Sequence, residues 1–469
     1  MIKPIKILCF FFLISFCVSA QSIPYSGLNN HFLDLSTDEV SYFSDTNQYF
    51  LLGTRILALE SFSSKESYTT YSFGLCFETN IRQRLTIIGL YDYLDGSFNP
   101  KITNFQDSLG IYYPGFGVNE NRVQFNFKYL ANNFLDVDFG YGKQFIGLGY
   151  HSLLLSDIAD SYPHLRLTTK FGPVKYYNLY TTFLNPSRAN FGRKKHATIH
   201  YLDFAITEKV HLGIFEAILW QSKSESSNKG YELAYLNPVI FYRPVEFSKQ
   251  SNKGNALMGA TFNIKFKNIT LYSQFILDDF NISRKKDSDE NYQSGFFQNK
   301  YGYQMGLKGN LKDINFLIEY NQVQPYTYGH RTILQNYSHM NQALAHPLGA
   351  NFKELIKILH FKKANFEYKL KSIFSVVGFD SIGTHYGQDI FSSDFDASTG
   401  GSHSYGNFNG QGFSTNILSF QPEVSYKLKS FYIFGSVYYQ KKKSDLLNQT
   451  SFFYTFGLRT FPFSVFPDY

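Results

Sequence analysis

Residues whose types and spacing could do chemistry cluster in the middle of the chain. From Gly142 to Leu184 the sequence carries Gly142, Gly147 and Gly149, then Leu153-Leu154-Leu155 and Ser156-Asp157. Closely spaced glycines could cradle a phosphate, but no Lys-Ser/Thr follows them as such a loop requires. Glycine also lets a backbone approach another surface closely. On that reading the segment folds back into an enclosed space. Arg166 and Lys170 follow, near Asp157 and Asp160 in sequence. Ion pairs among these four are expected to fix the folded-back segment, and Asp157 and Arg166 are the first candidate ligand-binding residues.

Two further stretches are polar in the same way. In Tyr235 to Ser248, Arg243 and Glu246 flank a proline that breaks regular strand pairing. In Glu319 to Glu354, Tyr326, Tyr328, His330, His339 and His346 gather aromatic and imidazole groups. Aromatic faces beside hydrogen-bonding groups suit sugar rings, and they equally suit a packed interior. The candidate ligand-binding set is therefore Asp157, Arg166, Arg243, Glu246, Tyr326, Tyr328, His330 and His346. Ser152 near His151 and Ser338 beside His339 are the available hydrolase pairs, but neither has a nucleophile-elbow pattern. No enzyme is expected. His196 and His200, four apart, come within reach of one metal ion on a helix, and their region reads as strand or loop. Asp278, Asp279, Asp287 and Asp289 read as solvated loop charge rather than a calcium site. No metal and no cofactor is expected.

These groups need elements to position them, and the chain's start says where those elements lie. Lys3 and Lys6 precede an apolar run from Ile7 to Val18, and Val18-Ser19-Ala20 is a small-residue cleavage site. Residues 1–20 read as a secretory signal peptide cleaved after Ala20. Phe16 before Cys17 and Leu8 before Cys9 argue against lipidation. Past the signal only Cys76 remains, so no internal disulfide can form. There are 50 Phe and 37 Tyr but one Trp, and charged residues make up 17%. Mean hydropathy is −0.24, too low for a helical membrane protein. It suits a barrel in which every second residue faces a polar lumen. Net charge is +7, or 7 − 2 = +5 without Lys3 and Lys6. Many lysines sit in expected turns, and there is no basic block of nucleic-acid type.

No apolar stretch after Val18 approaches the roughly 20 residues of a spanning helix. Period-two alternation recurs instead. Val123, Phe125, Phe127 and Tyr129 alternate with Gln124, Asn126 and Lys128; Asp136 and Asp138 alternate with large apolar groups. Ala260 to Phe266 and Tyr303 to Lys308 follow the same rule, as do Ile314 to Tyr320, broken by Leu317. Tight turns are expected at Lys267-Asn268, at Gly309-Asn310 and at the repeated Tyr-Lys-Leu-Lys-Ser (Tyr368 to Ser372, Tyr426 to Ser430). Longer connections at Ser222–Gly230, Arg284–Asn299 and Asp394–Gly412 are expected outside the cell. The aromatic-rich run from Phe452 to Phe463 reads as the terminal strand. At about 10 residues per strand plus connections, the count is about 18. The expected fold is an all-β, transmembrane antiparallel up-and-down β-barrel with a plugged lumen. A short N-terminal segment, 21–50, precedes the barrel at 51–469.

Six strings between about residues 140 and 355 carry a resemblance: GYHSLLLSD from Gly149, YPHLRLTTK from Tyr162, NPVIFYRPVEFS from Asn237, LYSQFILDDF from Leu271, PYTYGH from Pro325 and AHPLGAN from Ala345. They resemble the capsule-assembly (Wzi-like) outer-membrane barrel family in the form found in gliding bacteria. The resemblance implies a monomeric plugged barrel of about 18 strands in the cell outer membrane. It implies a non-enzymatic role in organising surface polysaccharide or in gliding. The implied partners are outer-membrane lipid, surface polysaccharide and gliding-machinery proteins, with no nucleic acid. Residues 21–50 are too short and too polar for the family's periplasmic helical bundle. The competing readings are a porin or specific uptake channel, and a lipid or glycan hydrolase.

Overall fold

The structure, a computed structural model, describes residues 48–63, 66–97, 120–185, 194–224, 227–228, 230, 233–236, 254–280, 294–381, 383–394, 405–429, 431–460 and 468. The alternating runs form eighteen antiparallel strands in one sheet. They are β1 (Gln48–Phe62), β2 (Ser67–Ile81), β3 (Leu85–Gly96), β4 (Glu120–Asn132), β5 (Leu135–Gly142), β6 (Tyr162–Phe171), β7 (Val174–Leu184), β8 (Lys194–Thr207) and β9 (Val210–Gln221). Then come β10 (Asn255–Lys265), β11 (Ile269–Asp279), β12 (Lys300–Leu311), β13 (Ile314–Val323), β14 (Phe352–Lys363), β15 (Phe366–Phe379), β16 (Phe413–Leu428), β17 (Phe431–Lys443) and β18 (Asn448–Arg459). Each strand pairs with its sequence neighbours, and β18 closes on β1 from Leu57↔Arg459 to Phe62↔Tyr454. Closure leaves no open sheet edge to be satisfied in lipid.

Alternation sorts the side chains. On β13, Ile318 is 42% exposed on the outer face while its neighbour Glu319 is 0% exposed within the lumen. Leu317, the break in that alternation, faces inward and is buried in the apolar part of the core. On β5, Asp136 and Asp138 are buried while Phe139 lies outside. Every second connection is a short turn, and the longer connections lie at the opposite end. In such barrels short turns are periplasmic and long loops extracellular. Ser222–Gly230, Arg284–Asn299 and Asp394–Gly412 all belong to the long-loop end, as expected.

Some local expectations are corrected. Gly309-Asn310 lies inside β12, and the turn is at Lys312-Asp313, where Lys312 takes a left-handed φ of 57°. Gly309 packs against the preceding turn instead: a Cβ there would sit 2.5 Å from the Asn268 carbonyl oxygen. Tyr368 to Ser372 lies within β15, and its second copy runs along β16 to a turn at Lys429, so the repeat is mostly strand. The terminal strand ends at Arg459, and Phe461 to Phe463 lie outside the described residues.

Lipid exposure at the centre of β13 is testable. Ile318→Arg should lower the unfolding free energy in bilayers by about 2–4 kcal/mol if Ile318 sits near the midplane. Urea titration of the refolded barrel measures it; an unchanged midpoint would contradict the outward assignment.

Candidate functional site

Polar residues on the inner faces of β11, β12 and β13 determine where the connection between β5 and β6 goes. Residues 143–161 enter the lumen, and Leu153, Leu154 and Leu155 are fully buried. Glu319 accepts hydrogen bonds from the backbone N–H groups of Tyr150 (2.8 Å) and His151 (3.1 Å) and from the Tyr272 hydroxyl (2.8 Å). The Gln274 side-chain oxygen accepts from Leu153 N–H at 2.8 Å. Gln304 donates to the His151 carbonyl at 2.9 Å and Lys308 to the Leu148 carbonyl at 2.8 Å. Glycine is required where the plug meets this wall. A Cβ on Gly147 would lie 2.1 Å from Gln274, and one on Gly149 would lie 2.2 Å from the Glu319 carboxylate.

The connection between β13 and β14 forms a second layer. The hydroxyls of Tyr328 and Tyr337 donate to the carbonyls of Leu153 and Leu154, each at 2.7 Å. Ser156 N–H donates to the Leu344 carbonyl at 2.8 Å, so the two segments hold each other. Lys195 of β8, 1% exposed, directs its ammonium to the Asn336 carbonyl (2.6 Å), Asn336 Oδ1 (2.7 Å) and Ser338 Oγ (2.9 Å). Asp278 accepts from Tyr328 N–H at 2.8 Å, and Lys300 pairs with Asp394 of the connection between β15 and β16. Asp468, next to the last residue, also reaches the lumen. It pairs with Lys371 of β15 and accepts from the Tyr150 hydroxyl at 3.0 Å.

The candidate ligand-binding residues separate in this arrangement. Arg166 does not pair with Asp157 or Asp160; it binds Asp138 on the adjacent β5 at 2.7 Å and Gln144 at 2.9 Å. Lys170 likewise faces Asp136 at 3.5 Å. Cross-strand neighbours outcompete residues merely close in sequence, because antiparallel register puts Arg166 opposite Asp138. The Asp157 carbonyl accepts from Lys143 at 3.0 Å. Arg243 and Glu246 lie outside the described residues. Tyr326 is buried and donates to the His385 carbonyl at 2.9 Å. His330 accepts from Thr332 N–H at 2.9 Å within its own turn. His346 is fully buried, stacks on Phe352 and hydrogen-bonds Glu354 at 2.7 Å. It meets His151 edge-on, and His151, His346 and Glu354 together are the described group able to hold a metal ion. A cavity of about 240 Å³ remains between the plug and the wall, where Arg166, Tyr177, Tyr201 and Asp203 face Gln144 and Gln274.

Sequence reasoning missed Glu319, Lys195, Lys371 and Asp468 as plug anchors. For the first three the available signal was a charged residue on the polar face of an alternating strand. The hydrolase pairs are otherwise engaged. Ser152 donates to the Ile146 carbonyl at 2.5 Å and accepts from Leu154 N–H at 3.1 Å. Ser338 donates to Asn336 Oδ1 at 2.5 Å. Beside it, His339 accepts from Leu184 N–H at 3.0 Å and donates to the Ser161 carbonyl at 3.1 Å. Both ring nitrogens of His339 are thereby occupied.

A closed barrel with an apolar outer face and a hydrogen-bonded wall is a transmembrane β-barrel of the outer-membrane type. Among solved structures it is similar to Wzi of Escherichia coli, an outer-membrane protein involved in group 1 capsule assembly and described as a carbohydrate-binding β-barrel. The TM-score is 0.57 at 14% identity, over 88% of this chain and 84% of that one. Pseudomonas aeruginosa OprD aligns with a TM-score of 0.45 at 9% identity, over 87% and 94% of the two chains. Acinetobacter baumannii OccAB2 aligns at 0.47 and 8%, over 89% and 98%. No protein-family profile and no curated protein matches the sequence.

Two outcomes follow from the anchors. Glu319→Ala leaves the Tyr150 and His151 N–H groups without their acceptor, and should cost roughly 3 kcal/mol. Proteolysis within 143–161 should accelerate, and protection equal to the parent would contradict the anchoring. Acid should also loosen the second layer. Burial holds the His339 pKa at about 4, below its ordinary 6.5, and Lys195 and Lys143 add to the shift. The stability it contributes is complete above pH 6.5 and is lost as pH falls toward 4. Protection of the amides across 336–344, after correction for the intrinsic pH dependence of exchange, should therefore be lower at pH 4.5 than at pH 7. His339→Gln should reduce that difference; an identical pH response in the variant would contradict the role.

Proposed function

We infer that this barrel is a closed, non-enzymatic scaffold that organises polysaccharide on the outer surface of the outer membrane. The observation that carries the reading is the filled lumen: plug segments from three connections and Asp468 are hydrogen-bonded or ion-paired to the wall. A porin needs an aqueous path where these segments lie. The long-loop end of the barrel offers a place for a saccharide surface. Gly406 N–H donates to the Ser294 carbonyl at 2.8 Å and Asn407 N–H to the Gly295 carbonyl at 3.0 Å, tying two long loops together. Around that junction Phe296 meets Phe297 and Tyr405, Phe297 meets Tyr326, and Phe408 is 63% exposed. The exposed Phe408 ring, with the half-buried Tyr405 in the same loop, suits the apolar face of a sugar ring. The carbohydrate-binding description of Wzi agrees with this assignment.

Gliding is the cellular output we assign, with surface polysaccharide and gliding-machinery proteins as partners of a monomeric barrel exported by the signal in residues 1–20. A deletion strain should spread less and retain less surface glycan, with unchanged permeability to small solutes. Unchanged spreading and glycan staining would overturn the assignment. In planar bilayers the purified protein should give no large, steady current, and such a current would favour an uptake channel. Phe408→Ala should weaken binding of the cell's own surface polysaccharide about tenfold, the size of one lost aromatic contact.

A further inference from the structure

The lumenal network at the meeting point of plug and wall holds a donor set that closing the barrel does not need. We propose that His151, His346 and Glu354, with Asp468 beside them, form a buried site for a zinc-type divalent ion that locks the plug to the barrel wall. The donors come from separate parts of the chain. His151 belongs to the connection between β5 and β6, His346 to that between β13 and β14, Glu354 to the wall strand β14 and Asp468 to the C-terminal segment. One ligand atom from each of His151, His346 and Glu354 lies within 4.8 Å of the others, and all three residues are buried. His151 Nε2 is 3.5 Å from the Asp468 carboxylate. Ligand atoms on one zinc ion lie about 3–4 Å apart, so shifts of about an ångström bring the set to bonding distance.

Chemistry and charge favour an ion over a proton alone. Two imidazoles and carboxylate oxygens are a mixed nitrogen and oxygen set of the kind that binds zinc and its neighbours. Glu354 is 1% exposed, and its Oε1 has no hydrogen-bond partner. Glu319, Glu354 and Asp468 bring three carboxylates into the network. Among the described residues, Lys371 is the cation ion-paired to it, through Asp468. A divalent ion neutralises charge that is otherwise costly to bury. The outer shell is in place as well. Asn321 donates to Glu354 Oε2 at 3.0 Å and to Glu319 Oε1 at 2.9 Å, fixing the carboxylate's orientation. The unloaded site shares a proton between His346 Nε2 and Glu354 Oε2 at 2.7 Å, and the ion takes that proton's place. Loading through Nε2 moves the imidazole proton to Nδ1 and gives up the 3.2 Å bond from Leu348 N–H.

The full-length mature protein, purified in detergent without a polyhistidine tag and stripped with EDTA, tests the site. Titration with Co²⁺ should produce the visible bands of a four-coordinate nitrogen and oxygen site, saturating at one equivalent per chain. Zn²⁺ should displace the colour and raise the thermal midpoint of the barrel. His346→Gln should lose the bands, and His330→Gln, changing a histidine outside the cluster, should keep them. His151→Cys retains a ligand, so it should add a thiolate-to-Co²⁺ charge-transfer band. That band reads the site even where His346→Gln fails to fold. Folded parent protein that takes up no Co²⁺ or Zn²⁺ would overturn the proposal. Bands that persist in His346→Gln, or a His151→Cys spectrum without the thiolate band, would do the same.

Discussion

Irregular backbone buried in a barrel lumen must have its N–H and C=O groups satisfied, and this constraint governs the rest of the structure. A strand meets the demand through its neighbours, whereas a plug must borrow partners. Here the wall supplies them. Glu319 and Gln274 receive plug N–H groups, while Gln304, Lys308 and Lys195 reach plug carbonyls. Each lies on the inner face of a strand whose outer face meets lipid. The polar half of the alternation therefore serves two ends. It keeps the chain's hydropathy low, and it provides the complementary surface against which the plug folds.

The same constraint explains why the plug is apolar at its centre and polar at its margin. Leu153, Leu154 and Leu155 pack with Tyr328, Tyr337 and Leu344 in one core cluster. Hydrophobic packing is non-directional and sets no register by itself. The tyrosine hydroxyls supply direction, since each reaches one carbonyl of the leucine run. Asp278, Lys195 and Lys300, the last through the Gly329 carbonyl, then fix the second layer to the wall at three separate strands. Truncating any one anchor leaves a buried group unpaired, which costs more than the bond itself contributes.

Much of the wall was legible because its period is short. Val123 to Tyr129 and Ile314 to Tyr320 declare two faces within seven residues, and those faces are the ones observed. The glycines near Gly147 were legible as sites of close approach, because few other roles suit them in a chain without phosphate-binding context. What approached them was not legible: Gln274 and Glu319 lie more than a hundred residues away in sequence. The pairing of Arg166 failed for the same reason. Sequence proximity favoured Asp157 and Asp160, while strand register delivered Asp138. The Gly309-Asn310 turn failed differently. Its composition suits a turn, but the glycine answers to the neighbouring hairpin, and Lys312 takes the left-handed conformation. Asp468 carried no readable signal at all, since a lone aspartate near a terminus is ordinary.

Closure and the proposed surface function fit together through the division of the connections. A loop committed to the lumen cannot also bind a ligand outside, so residues 143–161 and most of 324–351 are structural. Aromatic residues in those segments, Tyr328 and Tyr337 among them, bond to the plug and present no free face. On the proposed reading a saccharide surface comes from loops that stay at the rim, which carry the half-buried Tyr405 and the exposed Phe408. Tyr326 joins the two regions: its hydroxyl is held at the His385 carbonyl, and its ring meets Phe297 of the rim. The hydrogen-bonded plug beneath limits how far that rim can deform. The surface scaffold we propose needs such rigidity, whereas a pore of the same wall would need the opposite.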